Sequence, residues 1–80
     1  MTIKELEMKL TSLHIPDNWY FIGGYGNDDQ KYCIVSENRQ WSVYYSERGA
    51  RFKENTYSSE QDACEDLFER LVNKLSKHTP

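Results

Sequence analysis

Cysteine, histidine, proline and long apolar runs are all scarce in this chain of 80 residues, and each scarcity removes a class of protein. Two cysteines, Cys33 and Cys64, are too few and too far apart for a disulfide framework or a zinc site. Each falls in an apolar pattern, so both are expected to be buried thiols. No run of ~18 apolar residues exists to cross a membrane. The N-terminal stretch also lacks the apolar segment of a signal peptide. These features are those of a single cytoplasmic domain spanning residues 1–80. Basic residues are short as well: 10 Lys and Arg face 13 Asp and Glu, for a net charge of -3. That balance argues against general nucleic-acid binding, which neutralises phosphates with basic surface.

Aromatic residues, by contrast, make up 14% of the chain despite a mean hydropathy of -0.87. A disordered segment would be poor in them, and this supply is enough for one small core. Residues from Thr2 to about His14 have helical spacing, with Ile3, Leu6, Leu10 and Leu13 on one stripe. Thr2 and Glu5 stand in the capping-box arrangement, and Pro16 stops the helix. Met8 lies off the stripe and is expected to be exposed. Trp19 to Ile22 suits a short buried strand, and Gly23 to Asp29 a loop rich in turn formers. Lys31 to Ser36 gives a second strand, and Glu37 to Gln40 turns the chain. Trp41 to Ser46 alternates cleanly as a third strand. After a turn at Gly49, Ala50 to Tyr57 gives a polar fourth strand at an edge. Trp19, Trp41, Phe52 and Phe68 are the expected large core residues.

The last segment carries the strongest pattern. Ser58 with Gln61, or Ser59 with Asp62, can cap a helix whose first turns are acidic and whose end carries Arg70, Lys74 and Lys77. Ala63, Cys64, Leu67, Phe68, Leu71, Val72 and Leu75 cover one half of that helix at about 100° per residue. Asp62, Glu65, Asp66 and Glu69 gather on the other. The expected fold class is therefore two-layer α+β: helix, an antiparallel meander of three or four strands, then helix, with both helices on one sheet face. The other face stays open, with Tyr44 projecting there and Tyr20 and Tyr32 as further candidates.

Little in the sequence resembles catalytic machinery. His14 suits a helix C-terminus, His78 lies in the tail, and neither stands near a nucleophile in the sequence. Metal-ligand motifs of the HExxH, CxxC or calcium-loop kind are absent, so no metal or cofactor is expected. Gly23 to Gly26 lacks the Gly-Lys-Ser/Thr ending of a phosphate loop and precedes a strand rather than a helix. The expected activity is binding, without catalysis. Residues 54–69 hold six acids and no base, which leaves the remainder of the chain at +3, and so point to a basic protein as partner. One candidate surface joins Tyr25, Asp28 and Asp29 of the first loop to Tyr44, Glu47 and Arg48. The competing surface is the acidic helix stripe Asp62, Glu65, Asp66 and Glu69. A different reading makes the open sheet face a nucleic-acid or peptide module. Arg39, Arg48, Arg51 and Lys53 would supply its charge and exposed tyrosines its stacking.

Trp41 to Gly49 (WSVYYSERG), followed by Ser59 to Cys64 (SEQDAC) opening an amphipathic helix, resembles a group of small bacterial immunity proteins. Ile15 to Tyr20 (IPDNWY), with Gly23-Gly24 soon after, fits the same resemblance, which covers residues 15–75. Such proteins are encoded beside polymorphic or contact-dependent growth-inhibition toxins. The resemblance implies a stoichiometric inhibitor that binds a cognate toxin domain, often a nuclease with a basic substrate channel, and occludes its active site.

Overall fold

The computed structural model describes residues 1–23 and 29–78, with the His78 side chain excepted. Thr2 opens helix α1 (Ile3–Ser12) through a complete capping box: its hydroxyl accepts from the Glu5 N–H, and the Glu5 carboxylate accepts from the Thr2 N–H. The helix ends one turn residue earlier than its apolar stripe suggests. Leu13 is the C-cap and is 42% exposed, not a core residue. His14 follows at φ 57, the Ile15 N–H reaches the Leu10 carbonyl at 3.1 Å, and the His14 N–H reaches the Thr11 carbonyl at 3.0 Å. This is a Schellman motif with histidine where glycine is usual, and its accompanying apolar contact is between buried Ile15 and Leu10. Ile15 takes the core place expected of Leu13. Met8 is exposed, as its position off the stripe requires.

A short 3₁₀ turn (Asp17–Trp19) leads into β1 (Tyr20–Ile22), followed by β2 (Lys31–Glu37), β3 (Gln40–Glu47), β4 (Ala50–Tyr57) and α2 (Glu60–His78). The α+β class holds, and the four strands lie in sequence order β1-β2-β3-β4. The meander, however, covers only β2 to β4. Strand β1 pairs parallel to β2, with Tyr20 beside Tyr32, Phe21 beside Cys33 and Ile22 beside Ile34. The physical reason lies in which side chains share a face. This register places Tyr20 and Ile22 with Tyr32 and Ile34 under the helices, where all four join the main core. The connection Gly23–Gln30 spans roughly 25 Å when extended, ample for a return along a strand of this length. Gly23 leaves β1 at φ 127, a conformation open mainly to glycine.

Both hairpin turns carry two consecutive positive φ values, Asn38-Arg39 at 53° and 63° and Arg48-Gly49 at 52° and 80°. That is the twist-matched two-residue type I′ geometry. Strand β4 is an edge and is exposed along most of its length. Opposite Tyr44 it carries an extra residue: Tyr45 pairs with Phe52 but Val43 with Asn55, so Lys53 and Glu54 together face one position of β3. Lys53 has φ 54, in the place that glycine usually takes in such a bulge. Beyond the bulge the faces exchange, and Asn55 and Tyr57 turn toward α2 beside Val43 and Trp41.

Both helices cover one face. Leu6, Leu10, Ile15, Ile34, Val43, Ala63, Cys64, Leu67 and Leu71 form the buried cluster, with Trp19, Trp41 and Phe68 packed against it. Phe52, expected in this core, is 47% exposed instead. Among the described residues the cluster reaches β4 only at Tyr57. Ser59, rather than Ser58, caps α2, its hydroxyl accepting from the Asp62 N–H at 3.2 Å. Glu60 accepts from the Ile3 N–H at 2.7 Å and ties the starts of the two helices together. Cys33 and Cys64 are both buried thiols outside any disulfide, as their apolar settings imply. Burial pushes the Cys64 thiol up to about 11, with a smaller push from Glu60.

Two outcomes follow. Replacement His14→Gly relieves the positive φ and raises the unfolding free energy by about 0.5–1 kcal/mol, read as a higher urea midpoint at unchanged slope. Both thiols react with an aromatic disulfide reagent only at the rate of opening, so denaturant accelerates labelling sharply.

Candidate functional site

The phase change in β4 places two side chains of that strand against α2. Tyr57 Oη donates to Asp66 Oδ2 at 2.5 Å, and Asn55 Nδ2 donates to the same oxygen at 3.3 Å. Arg70, one turn along the helix, donates from Nε to Asp66 Oδ1 at 2.7 Å and from Nη2 to the Lys53 carbonyl at 2.8 Å. The Asp66 side chain is only 14% exposed. Burial alone would raise its pKa, but the hydrogen bonds from Tyr57, Arg70 and Asn55 prevail and hold the carboxyl below its ordinary range. The same bond to Asp66, followed by burial, raises the Tyr57 hydroxyl. Arg70 Nη1 is buried with no hydrogen-bond partner among the described residues.

This network divides the seam between α2 and β4 into two depressions of opposite sign. Toward the start of α2 lies a shallow groove of about 430 Å³, lined by Asn55, Tyr57, Asp62, Glu65, Asp66 and Glu69. Asp62, Glu65 and Glu69 are exposed, and among the described residues none of them makes an ion pair. Toward its end lies a cavity of about 570 Å³ whose walls include Tyr32, Tyr45, Lys53, Arg70, Lys74 and Lys77. Asn55 borders both.

The sequence-derived surfaces fare differently. Tyr25 and Asp28 lie outside the described residues. Asp29 and Arg48 do meet, but through structure: Asp29 Oδ1 accepts from the Arg48 backbone N–H at 2.6 Å and so ties the first loop to the β3–β4 turn. Glu47 is half-buried beside them. Tyr44 is on the face away from the helices, as its alternation requires, yet it is only 2% exposed. It packs there with Phe21, Cys33 and Val35 in a second small cluster, and the Arg51 guanidinium lies 4.2 Å from its ring centroid. Arg51 is itself held by Glu37 at 2.5 Å and Glu54 at 2.7 Å. The hydrogen bond from Arg51 lowers the Glu37 carboxyl in turn. That face is thus covered by its own side chains. Tyr20 and Tyr32 belong to the opposite, helix-covered face, because Tyr32 stands across from Tyr45, one residue out of phase with Tyr44, and Tyr20 is in register beside it.

Of the acidic stripe, Asp66 is committed to the fold while Asp62, Glu65 and Glu69 remain outward. Sequence reasoning missed the basic cavity, because Lys53 joins Lys74 and Lys77 only through the bulge. Among the described residues no group of His, Cys, Asp and Glu could hold a metal ion, and no helix is long and apolar enough to cross a membrane. No family model, curated protein or solved structure matches the chain.

The Asp66 network gives stability a double pH limit. A lowered carboxyl contributes stability above its ordinary pKa, lost as pH falls through the folded value. A raised tyrosine contributes below 10.0, lost as pH rises through its folded value. Tyr57→Phe therefore costs about 1.5–3 kcal/mol at neutral pH and flattens the alkaline limb. Asp66→Asn leaves Arg70 buried without its counter-charge, costs about 3 kcal/mol and flattens the acid limb. Urea titrations across pH measure both.

Proposed function

We propose that this protein is a cytoplasmic immunity protein that works by binding, without catalysis, and that it neutralises a cognate basic toxin domain. The observation that carries the reading is the groove between β4 and α2, where Asp62, Glu65 and Glu69 present carboxylates to solvent beside Tyr57. Three outward charges on one face of a helix, which fixes their spacing, suit recognition of a basic surface. Such a surface accelerates encounter through electrostatic steering and excludes like-charged partners. The family resemblance around Trp41–Gly49 and Ser59–Cys64 supplies the biological class. Toxin domains of that class are often nucleases, and an acidic face laid over the substrate channel blocks the path that a phosphate backbone would take.

The first-loop surface is the weaker choice. Tyr44 is interior and Asp29 is engaged by the Arg48 backbone, so fewer groups remain there for a partner. A nucleic-acid or peptide module on the open sheet face draws no support from that face, since Arg51 covers Tyr44 and is itself paired with two carboxylates.

The test uses the toxin domain encoded beside this chain. Co-expression with the wild-type protein restores growth, and the two purified proteins form a one-to-one complex. Reversing charge at Asp62→Lys, Glu65→Lys and Glu69→Lys together lowers affinity about a hundredfold, mainly through association rate, and weakens its salt dependence. Unchanged affinity in that triple variant, with its circular dichroism intact, rejects the acidic groove as the docking surface.

A further inference from the structure

The cavity at the other end of the same seam has a chemistry that the protein-binding reading does not use. Four cationic side chains, Lys53, Arg70, Lys74 and Lys77, border it, against one carboxylate, Glu54. That carboxylate is paired with Arg51 at 2.7 Å. Lys74 and Lys77 also suit the negative end of the α2 dipole. Lys53 has no such reason to be there. It reaches the cavity from a different element, at a bulge where it adopts φ 54, a conformation that glycine would hold without strain.

Two of the cationic groups are held as well as gathered. Arg70 is fixed by Asp66 and by the Lys53 carbonyl, at 2.7 and 2.8 Å. Lys74 Nζ stands 4.6 Å from the centroid of the Trp19 ring and 5.8 Å from that of Tyr32. Among the described residues Lys53 and Lys77 make no ion pair. Beside these charges Tyr32 and Tyr45 stand with ring centroids 5.0 Å apart and planes tilted by 59°. Both tyrosines border the cavity, as does Asn73. A volume of about 570 Å³ is in the range of small-molecule sites.

We propose that this cavity binds a small phosphate ester carrying a planar ring, of the mononucleotide class, with Lys53, Lys74 and Lys77 at the phosphate and the Tyr32–Tyr45 pair at the ring. Charge-assisted bonds to phosphate supply the affinity, and aromatic surface selects for the ring. The inference stands apart from the toxin-binding reading, since none of Asp62, Glu65 and Glu69 takes part.

Isothermal titration calorimetry with adenosine monophosphate, adenosine and inorganic phosphate at low salt tests it. The nucleotide binds saturably, and adenosine and phosphate each bind at least tenfold more weakly. Lys74→Met with Lys77→Met weakens nucleotide binding about a hundredfold, on the order of tenfold for each charged contact. Lys53→Gly separates site from fold: it raises the melting temperature by relieving the positive φ while weakening the nucleotide about tenfold. Absence of saturable binding overturns the proposal. So does equal affinity for inorganic phosphate, or unchanged affinity in the folded double lysine variant. Much tighter, steeply salt-dependent binding of a single-stranded oligonucleotide would replace the small ligand by a nucleic acid.

Discussion

Strand β4 carries one residue more than its partner, and much of the molecular surface follows from it. Side chains alternate along a strand with a period of two, so a single insertion exchanges the faces beyond it. Here the exchange at Lys53 and Glu54 turns Asn55 and Tyr57 toward α2, where both find Asp66. Asp66 can then be buried as a charged group, because it receives bonds from three side chains. Arg70 is drawn into the same cluster and reaches back to the Lys53 carbonyl, closing a ring between the bulge and the helix.

The network sits midway along the seam and so separates charges that the helix had already sorted by position. Acids stand near the start of α2 and bases near its end, as its dipole favours. The Asp66–Arg70 pair occupies the boundary, which leaves a carboxylate groove on one side and a lysine-rich cavity on the other. A surface with two such ends would offer the proposed basic partner and the proposed anionic small molecule separate places to bind. The face of the sheet away from the helices makes a different use of charge. Arg51, clamped by Glu37 and Glu54, serves as a cover over Tyr44, so an aromatic side chain on a solvent-side face is nonetheless dry.

Several features take conformations that their residues do not prefer. His14 fills a glycine position in a Schellman motif, and Arg39, Arg48 and Lys53 hold positive φ at turns and at the bulge. Each costs about 1–2 kcal/mol relative to an unstrained backbone, a sizeable fraction of the stability of a small domain. The hairpin twist and the apolar contact of Ile15 with the core offset this at the turns and the helix end.

Local pattern was enough for the helices, the three longer strands, the capping box at Thr2 and Glu5, the buried thiols and the edge position of β4, because each depends on spacing and nearest neighbours. The acidic outer face of α2 was readable for the same reason, as 100° per residue assigns Asp62, Glu65 and Glu69 to one side. Three matters required the folded chain. The direction of β1 depends on pairing with a strand beyond a long connection, where burial of Tyr20 and Ile22 favours the parallel register. The interior place of Tyr44 depends on Arg51 arriving from the neighbouring strand. The convergence of Lys53 with Arg70 and Lys74 depends on a bulge opposite Tyr44, and a run of polar residues carries no periodicity that would mark where one extra residue is inserted.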